Sequence, residues 1–173
     1  MFLKKSKAVS YIEVMLVLVI IGTVSALTIP SMKRHSQKHE LGALAQKSYM
    51  VLNDALDNAI LQHGPSRNWV KSADVNIFRD YFRPSLQIID EYADGSYYYL
   101  TKDGMAISVI ASGPEYIEIR VDVNGNNKGP NKAGKDIHCF KFYMQDSKIE
   151  PSTTATIELY KNNWKFTDEL WYK

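Results

Sequence analysis

The sequence contains a single cysteine, Cys139, among its 173 residues, so the chain cannot form an intramolecular disulfide. An exported protein of this composition must be stabilised by burial of apolar side chains or by a bound ion. The sequence also has little excess charge, since 21 Lys and Arg residues against 19 Asp and Glu residues give a net charge of +2. This balance argues against a nucleic-acid-binding protein, which needs a basic surface.

The sequence also lacks the short motifs that accompany common enzymatic sites. It has no H-E-x-x-H, no G-x-S-x-G, no P-loop and no glycine-rich dinucleotide turn. Its acidic residues are scattered, and their spacing marks no pair as a general acid and base. We therefore expect a protein that is not an enzyme. Hydrophobic residues make up 45% of the chain, which is ordinary for a folded protein.

One segment carries no charge at all: Val14–Ile29, with the sequence VMLVLVIIGTVSALTI. As an α-helix it would extend about 24 Å, slightly less than the ~30 Å hydrocarbon core of a bilayer. Extension back to Val9 would bring the length to about 32 Å, but the added residues include Glu13. A carboxylate at membrane depth costs roughly 2.5–3.5 kcal/mol, so Glu13 calls for a functional explanation.

Two ordinary interpretations of this segment leave Glu13 unexplained. The first is a secretory signal peptide, with a basic start, an apolar stretch and a small-residue cleavage site at Val24-Ser25-Ala26. The chain would then be an exported soluble binding domain, released by cleavage after Ala26. The second interpretation is a plain, uncleaved membrane anchor.

A third interpretation accounts for the whole segment. The basic start Lys4-Lys5-Ser6-Lys7-Ala8, followed by Val9–Glu13 and the apolar run, resembles the leader of type IV pilins and type II secretion pseudopilins. In that family a dedicated peptidase cuts after a small residue, and the new N-terminus is methylated. Ala8 matches the last leader residue, although glycine is usual there, and Val9 stands where phenylalanine is common. Glu13 matches the glutamate five residues into the mature chain, and Pro30 matches a helix-kinking proline.

The resemblance implies both partners and a location. It implies a filament of identical or homologous subunits, in which Glu13 of one chain pairs with the amine of a neighbour, and a paired carboxylate specifies register. It further implies a prepilin peptidase, a polytopic platform protein and a cytoplasmic assembly ATPase. The chain would cross the inner membrane once, with its C-terminal domain outside the cytoplasm. Pilus and pseudopilus, and major and minor subunit, stay open.

The rest of the chain predicts an α+β fold. Residues 1–8 form the expected leader, 9–30 the transmembrane or filament-core half of a long helix, 31–64 its soluble half and 65–173 a globular domain. Apolar residues recur every three or four positions from Leu41 to Ile60, which predicts one helix from Ser10 to Gln62, with Gly42 as a weak point. Shorter elements are expected after Pro65: a helix at Val75–Phe82, then strands at Ser96–Thr101, Met105–Ile110, Glu115–Val121, Ile137–Tyr143 and Thr156–Tyr160. We expect the long helix to pack on an antiparallel sheet, as in pilins.

One loop between the last predicted strands is a candidate cation site. Oxygen-bearing side chains alternate at Asp122, Asn124 and Asn126, as at the start of a calcium loop, and Asp136 follows. The pattern then departs from an EF-hand, because Ala133 stands where the bidentate carboxylate is needed. Some major pseudopilins, which the chain resembles, bind calcium in a late loop. The alternative is a structural turn without a metal, since Asn, Gly and Pro favour tight turns.

Overall fold

The computed structural model describes residues 10–70, 76–93, 97–113 and 115–172. Its long helix, α1, spans Tyr11–His63 and confirms the helix predicted from the sequence. It is helical throughout, including Pro30, and ends where Gly64 takes a positive φ of 77° before Pro65. The chain divides into two compact units, residues 1–37 and 38–173. Among the described residues, the buried core lies entirely in the second unit.

The second unit contains one antiparallel sheet of six strands in the order of the sequence. The strands are β1 Ile88–Ala93, β2 Tyr97–Thr101, β3 Ala106–Ser112, β4 Tyr116–Asp122, β5 Ile137–Tyr143 and β6 Lys148–Pro151. Four of them, β2 to β5, confirm predicted strands: β5 has the predicted ends, and the ends of β3 and β4 differ from the prediction by one or two residues. Ser96, the predicted start of β2, lies outside the described residues. The two edge strands, β1 and β6, were not predicted. The long helix on an antiparallel sheet confirms the α+β class.

Alternate residues of the central strands form the sheet side of the core. Ile117, Ile119 and Val121 of β4 are buried, and so are Phe140 and Phe142 of β5. The part of α1 beyond residue 38 covers this face with a stripe of small and apolar side chains: Leu41, Ala45, Leu52, Ala55, Leu56 and Ala59. The stripe follows the three- and four-residue spacing seen in the sequence, because those positions lie on one side of a helix.

The strand predicted at Thr156–Tyr160 is wrong, because these residues belong to a helix. This helix, α2, spans Thr154–Lys161, and a third helix, α3, spans Asp168–Tyr172. Thr156 and Leu159 of α2 are buried at a spacing of three, which a helix satisfies and a strand does not. Their β-branched and aromatic neighbours have high strand propensity, and tertiary packing overrides it here.

The helix predicted at Val75–Phe82 is confirmed only in its second part. Phe78–Phe82 forms one turn of π-helix, and a short 3₁₀ turn at Arg83–Ser85 follows. Val75 lies outside the described residues. Phe78 and Phe82 are buried and stack with ring centroids 5.6 Å apart, which attaches this turn to the core.

Candidate functional site

The N-terminal part of α1 exposes its apolar side chains. Leu16, Val19 and Ile21 are each more than half exposed, and none of the most apolar 18-residue stretch is buried. Within the described part of the chain, α1 is the one helix long and apolar enough to cross a membrane, by length and composition. Water is an unfavourable surrounding for this surface, so lipid or other apolar helices must cover it.

Glu13 lies in the first turn of α1 and has a hydrogen-bond partner in its own chain. Its Oε2 accepts a bond from the backbone N–H of Ser10, at 2.8 Å. This bond is one of the two in a capping box: the side chain of the acidic residue accepts the backbone N–H of the residue three positions earlier, at the start of the helix. A negative charge is also favourable at this end of a helix dipole. Ala8 and Val9, the predicted cleavage site, lie outside the described residues.

The two threonines in the apolar part of α1 form hydrogen bonds within the helix. Thr23 Oγ1 donates to the carbonyl of Ile20 at 2.9 Å, and Thr28 Oγ1 donates to the carbonyl of Val24 at 2.9 Å. Pro30 lacks an N–H, so it removes one bond from the helix ladder without interrupting the helix. The hydroxyl bonds let this part of α1 enter an apolar environment with its Thr side chains already paired.

The end of β4 and the β4–β5 loop (residues 123–136) hold two buried oxygen atoms that have no partner among the residues the structure describes. These atoms are Asp122 Oδ2 and Asn124 Oδ1. The remaining atoms of the two side chains are engaged: Asp122 Oδ1 accepts from the backbone N–H of Asn124 at 3.3 Å, and Asn124 Nδ2 donates to the carbonyl of Gly129 at 3.2 Å. Buried acceptors without a donor are uncommon in folded proteins and need an explanation.

Asp136, the last of the predicted ligands, closes the same loop. It is fully buried, and its two oxygens accept the backbone N–H groups of Asn131 and Lys132, each at 2.7 Å. Asn131 has a positive φ of 49°, and its Nδ2 donates to the carbonyl of Asn126 at 2.9 Å. Asn126 itself is exposed, and its backbone carbonyl is the atom that accepts the bond from Asn131.

The electrostatics of the loop disfavour a second negative charge. Burial raises the pKa of Asp122 above its usual value, and the nearby carboxylate of Asp136 raises it further. The backbone N–H groups of Asn124 and Gly125 act in the opposite direction, since they stabilise the carboxylate. Two carboxyl groups therefore share one poorly hydrated region, where a cation would neutralise them.

The residues of this loop supply some, but not all, of the ligands that a hard cation such as calcium needs. Carboxylate and amide oxygens are the ligands calcium prefers, and Asp122 Oδ2 and Asn124 Oδ1 are available. Asp136 is already hydrogen-bonded through both oxygens and so holds the loop closed. No group of three His, Cys, Asp or Glu side chains capable of holding a metal occurs in the described ranges. A calcium ion here would therefore need amide, backbone or water oxygens to complete its coordination.

His138 connects the loop to α2. Its Nε2 lies 3.2 Å from the carbonyl of Lys135 and its Nδ1 lies 3.3 Å from the hydroxyl of Thr156. Because a carbonyl only accepts, Nε2 carries the proton and Nδ1 accepts from Thr156. Burial lowers the pKa of His138 to about 4, so the ring is neutral at pH 7. The neighbouring Cys139 is also buried, but on the other face of β5, so the two do not form a joint site.

Sequence analysis missed a set of contacts on the other side of the loop. Trp171 of α3 is buried, and two lysine ammonium groups lie near its ring, with Lys135 Nζ 5.0 Å and Lys38 Nζ 5.8 Å from the ring centroid. Lys38 also forms an ion pair with Asp168. No local pattern predicts this arrangement, since the residues are far apart in the sequence and come from α1, the loop and α3.

Comparison with known proteins adds no relative from which a site could be transferred. No family model matches the chain, no curated protein matches it, and no solved structure matches it. Its function must therefore be inferred from its own residues.

Proposed function

We propose that this protein is a structural subunit of a type IV pilus-like or type II secretion pseudopilus filament. The observation that carries the proposal is the division of α1: its first part exposes an unbroken apolar surface, and its later part packs on the sheet. A soluble protein does not keep such a surface in water. In a filament, the apolar parts of many subunits would cover one another.

The N-terminal residues support the same proposal. Ala8 and Val9 match the cleavage and methylation positions of prepilins, and Glu13 stands five residues into the resulting chain. Glu13 already caps α1, and its carboxylate has further acceptor capacity for the amine of a neighbouring subunit. Pro30 would supply the helix flexibility that the resemblance implies. The prepilin peptidase, platform protein, assembly ATPase and inner-membrane location belong to this proposal.

The start of the mature protein tests the proposal directly. We expect mass spectrometry of the purified protein to give a chain that begins at Val9, with or without a methyl group on its amine. A chain that begins at Leu27 would instead support a secreted binding domain. A chain that keeps Lys4, Lys5 and Lys7 would leave no free amine beside Glu13 and would refute filament assembly by this route.

The two roles of Glu13 can be separated by a matched pair of variants. Glu13→Gln keeps an oxygen that accepts the Ser10 N–H, but it removes the charge; Glu13→Ala removes both. If charge pairing between subunits drives assembly, we expect both variants to be processed normally and to form few filaments under electron microscopy. If Glu13→Gln assembles as the wild type does, helix capping is the only role of Glu13, and the pairing role is wrong.

We propose as a second function that the β4–β5 loop binds calcium. The specific observation in its favour is a pair of buried oxygens, one on Asp122 and one on Asn124, that have no partner among the described residues. A second carboxyl group, that of Asp136, lies nearby. Calcium would be the positively charged partner that these oxygens lack, and it would stabilise the folded loop. Asp122, Asn124 and Asp136 would hold or support the ion, and Asn126 would contribute through its backbone.

Thermal unfolding in calcium and in chelator tests this second function. A ligand at 100 times its Kd stabilises a protein by about 2.7 kcal/mol, so we expect a melting temperature several degrees higher in calcium. Asp122→Asn should abolish that shift. The same variant should be no less stable than the wild type in chelator, since it removes a buried, unpaired charge. Asp146→Asn, an exposed control, should behave as the wild type. A wild type that calcium does not stabilise has only a structural turn here.

A further inference from the structure

The C-terminal segment, residues 166–172, is attached to the loop that carries the candidate calcium site. Trp171 is 7% exposed, and the ammonium groups of both Lys135 and Lys38 lie within about 6 Å of its ring centroid. Lys38 Nζ also lies 5.5 Å from the ring of Tyr172. Cation–π contacts of this kind are favourable where the charges are partly removed from water. The position of Lys135 therefore contributes to how firmly α3 is held.

The position of Lys135 depends on the closed loop, which the hydrogen bonds of Asp136 hold in place. The backbone N–H groups of Lys135 and Asp136 both donate to the carbonyl of Lys132, at 3.1 and 3.3 Å. In return, the N–H of Lys132 donates to Asp136 Oδ1. The carbonyl of Lys135 accepts from His138, which is fixed in β5. If the loop opens, these bonds break together and Lys135 leaves the Trp171 ring.

The loop comes very close to α2 at Gly134. Gly134 approaches α2 so closely that an added Cβ would lie 2.6 Å from Cβ of Ala155. Beside this contact is a cavity of about 170 Å³, lined by Lys132, Lys135, Leu170 and Tyr172 among others. Trp171 belongs to the apolar core, but this boundary is partly open, so the docking of α3 also depends on a few specific contacts beside that core.

We propose that calcium binding at Asp122 and Asn124 is coupled to the docking of residues 166–172 through Lys135 and Trp171. This inference rests on the calcium site of the proposed function. The carboxyl groups of Asp122 and Asp136 repel each other in the closed loop. Calcium would offset that repulsion and so stabilise the closed loop in which Lys135 lies near Trp171. Coupling of this kind is reciprocal, so loss of the Trp171 contact weakens calcium binding by the same factor by which calcium strengthens docking.

Hydrogen–deuterium exchange on the full chain in detergent micelles tests the coupling. We expect calcium to slow exchange severalfold in peptides from the β4–β5 loop and from α3, with little change in peptides from β1 and β2. Slowing in the loop but not in α3 would overturn the coupling and leave the calcium site intact. Equal slowing everywhere would also overturn it, since that reflects global stabilisation. Absence of any change would refute both the calcium site and the coupling.

A variant measures the reciprocal effect. Trp171→Leu keeps both lysine charges and removes the ring, and we expect it to weaken calcium binding about three- to fivefold, the range of one cation–π contact. Tyr160→Leu is the matched control, because Tyr160 contacts Tyr49 and Trp164 instead of the loop. Equal calcium affinity in Trp171→Leu and Tyr160→Leu would overturn the coupling. Near-ultraviolet circular dichroism establishes that both variants are folded.

Discussion

Gly42 is unfavourable for a helix by its intrinsic propensity, but the packing of the folded protein requires glycine at this position. In the sequence it is a residue of low helix propensity in the middle of α1. In the structure it is buried, and a Cβ at this position would lie 2.3 Å from the carbonyl oxygen of Trp164. No side chain fits between these two backbones. Gly42 therefore allows the segment after α2 to approach the backbone of α1 closely.

We expect Gly42→Ala to destabilise the protein. Alanine normally gains about 0.5–1 kcal/mol over glycine inside a helix. Here the clash with Trp164 should outweigh that gain, with a net loss of about 1–3 kcal/mol, as for other overpacked sites. Chemical denaturation of the full chain in micelles measures the difference. Asn58→Ala, at an exposed position of the same helix, should be neutral or slightly stabilising. A more stable Gly42→Ala would contradict this account of the contact.

His138 makes stability depend on pH over a defined range. Its pKa is about 4 in the folded protein and 6.5 ordinarily, so the unfolded chain binds more protons between these values. The stabilisation is complete above pH 6.5 and is lost progressively as the pH falls towards 4. Asp122 opposes this trend at the acid end, since its pKa is raised and its protonation favours the folded state.

A glutamine at position 138 isolates the histidine contribution. Glutamine can donate to Lys135 and accept from Thr156 without titrating. Between pH 6.5 and 4, we expect the wild type to lose about 3 kcal/mol of unfolding free energy relative to His138→Gln. Unfolding curves at several pH values measure this loss. The comparison cancels the effect of Asp122, which both proteins share. Parallel curves for the two proteins would show that His138 does not titrate on unfolding.

At the scale of secondary-structure elements, the sequence predicted the helices and strands whose apolar residues recur at regular spacing. The three- and four-residue spacing from Leu41 to Ile60 predicted α1, and alternation predicted β4 and β5. It did not predict β1, which is an edge strand with exposed Ile89 and Tyr92 and an irregular register against β2. Edge strands bury little, so their sequences lack a clear apolar alternation.

The contact between the β4–β5 loop and α2 gives a prediction at this scale. Gly134 has a φ of 81°, and a Cβ there would collide with Ala155. Gly64 has a similar φ of 77° but open space around it. We expect Gly64→Ala to cost about 1–2 kcal/mol, the strain of a left-handed residue. Gly134→Ala should cost clearly more, as thermal unfolding can show. Equal losses would mean that the loop does not press against α2.

At the scale of the whole molecule, the two units require different surroundings. The core residues all lie between Leu41 and Trp171, within the second unit. In the first unit, the described apolar side chains from Tyr11 to Ile29 are largely exposed. The second unit can therefore bury its own apolar side chains, and the first unit cannot.

We expect a fragment of residues 38–173 to be soluble and to unfold cooperatively, because it retains every core residue. The full chain should need detergent or lipid to remain dispersed. Size-exclusion chromatography and thermal denaturation of the two proteins make the comparison. A fragment that aggregates or lacks a cooperative transition would show that residues before 38 belong to the folding unit.

The sequence by itself determined the long helix, its apolar N-terminal half and the central strands. These features follow from periodicity and hydropathy, which act over a few neighbouring residues. It also identified Asp122, Asn124, Asn126 and Asp136 as one loop, although not which of their oxygens would lack partners. Only the tertiary structure decided that α2 is a helix, that Gly42 meets Trp164, and that the ammonium groups of Lys38 and Lys135 lie near the Trp171 ring. These outcomes depend on contacts between distant segments, and the burial that selects them exists only once the chain has folded.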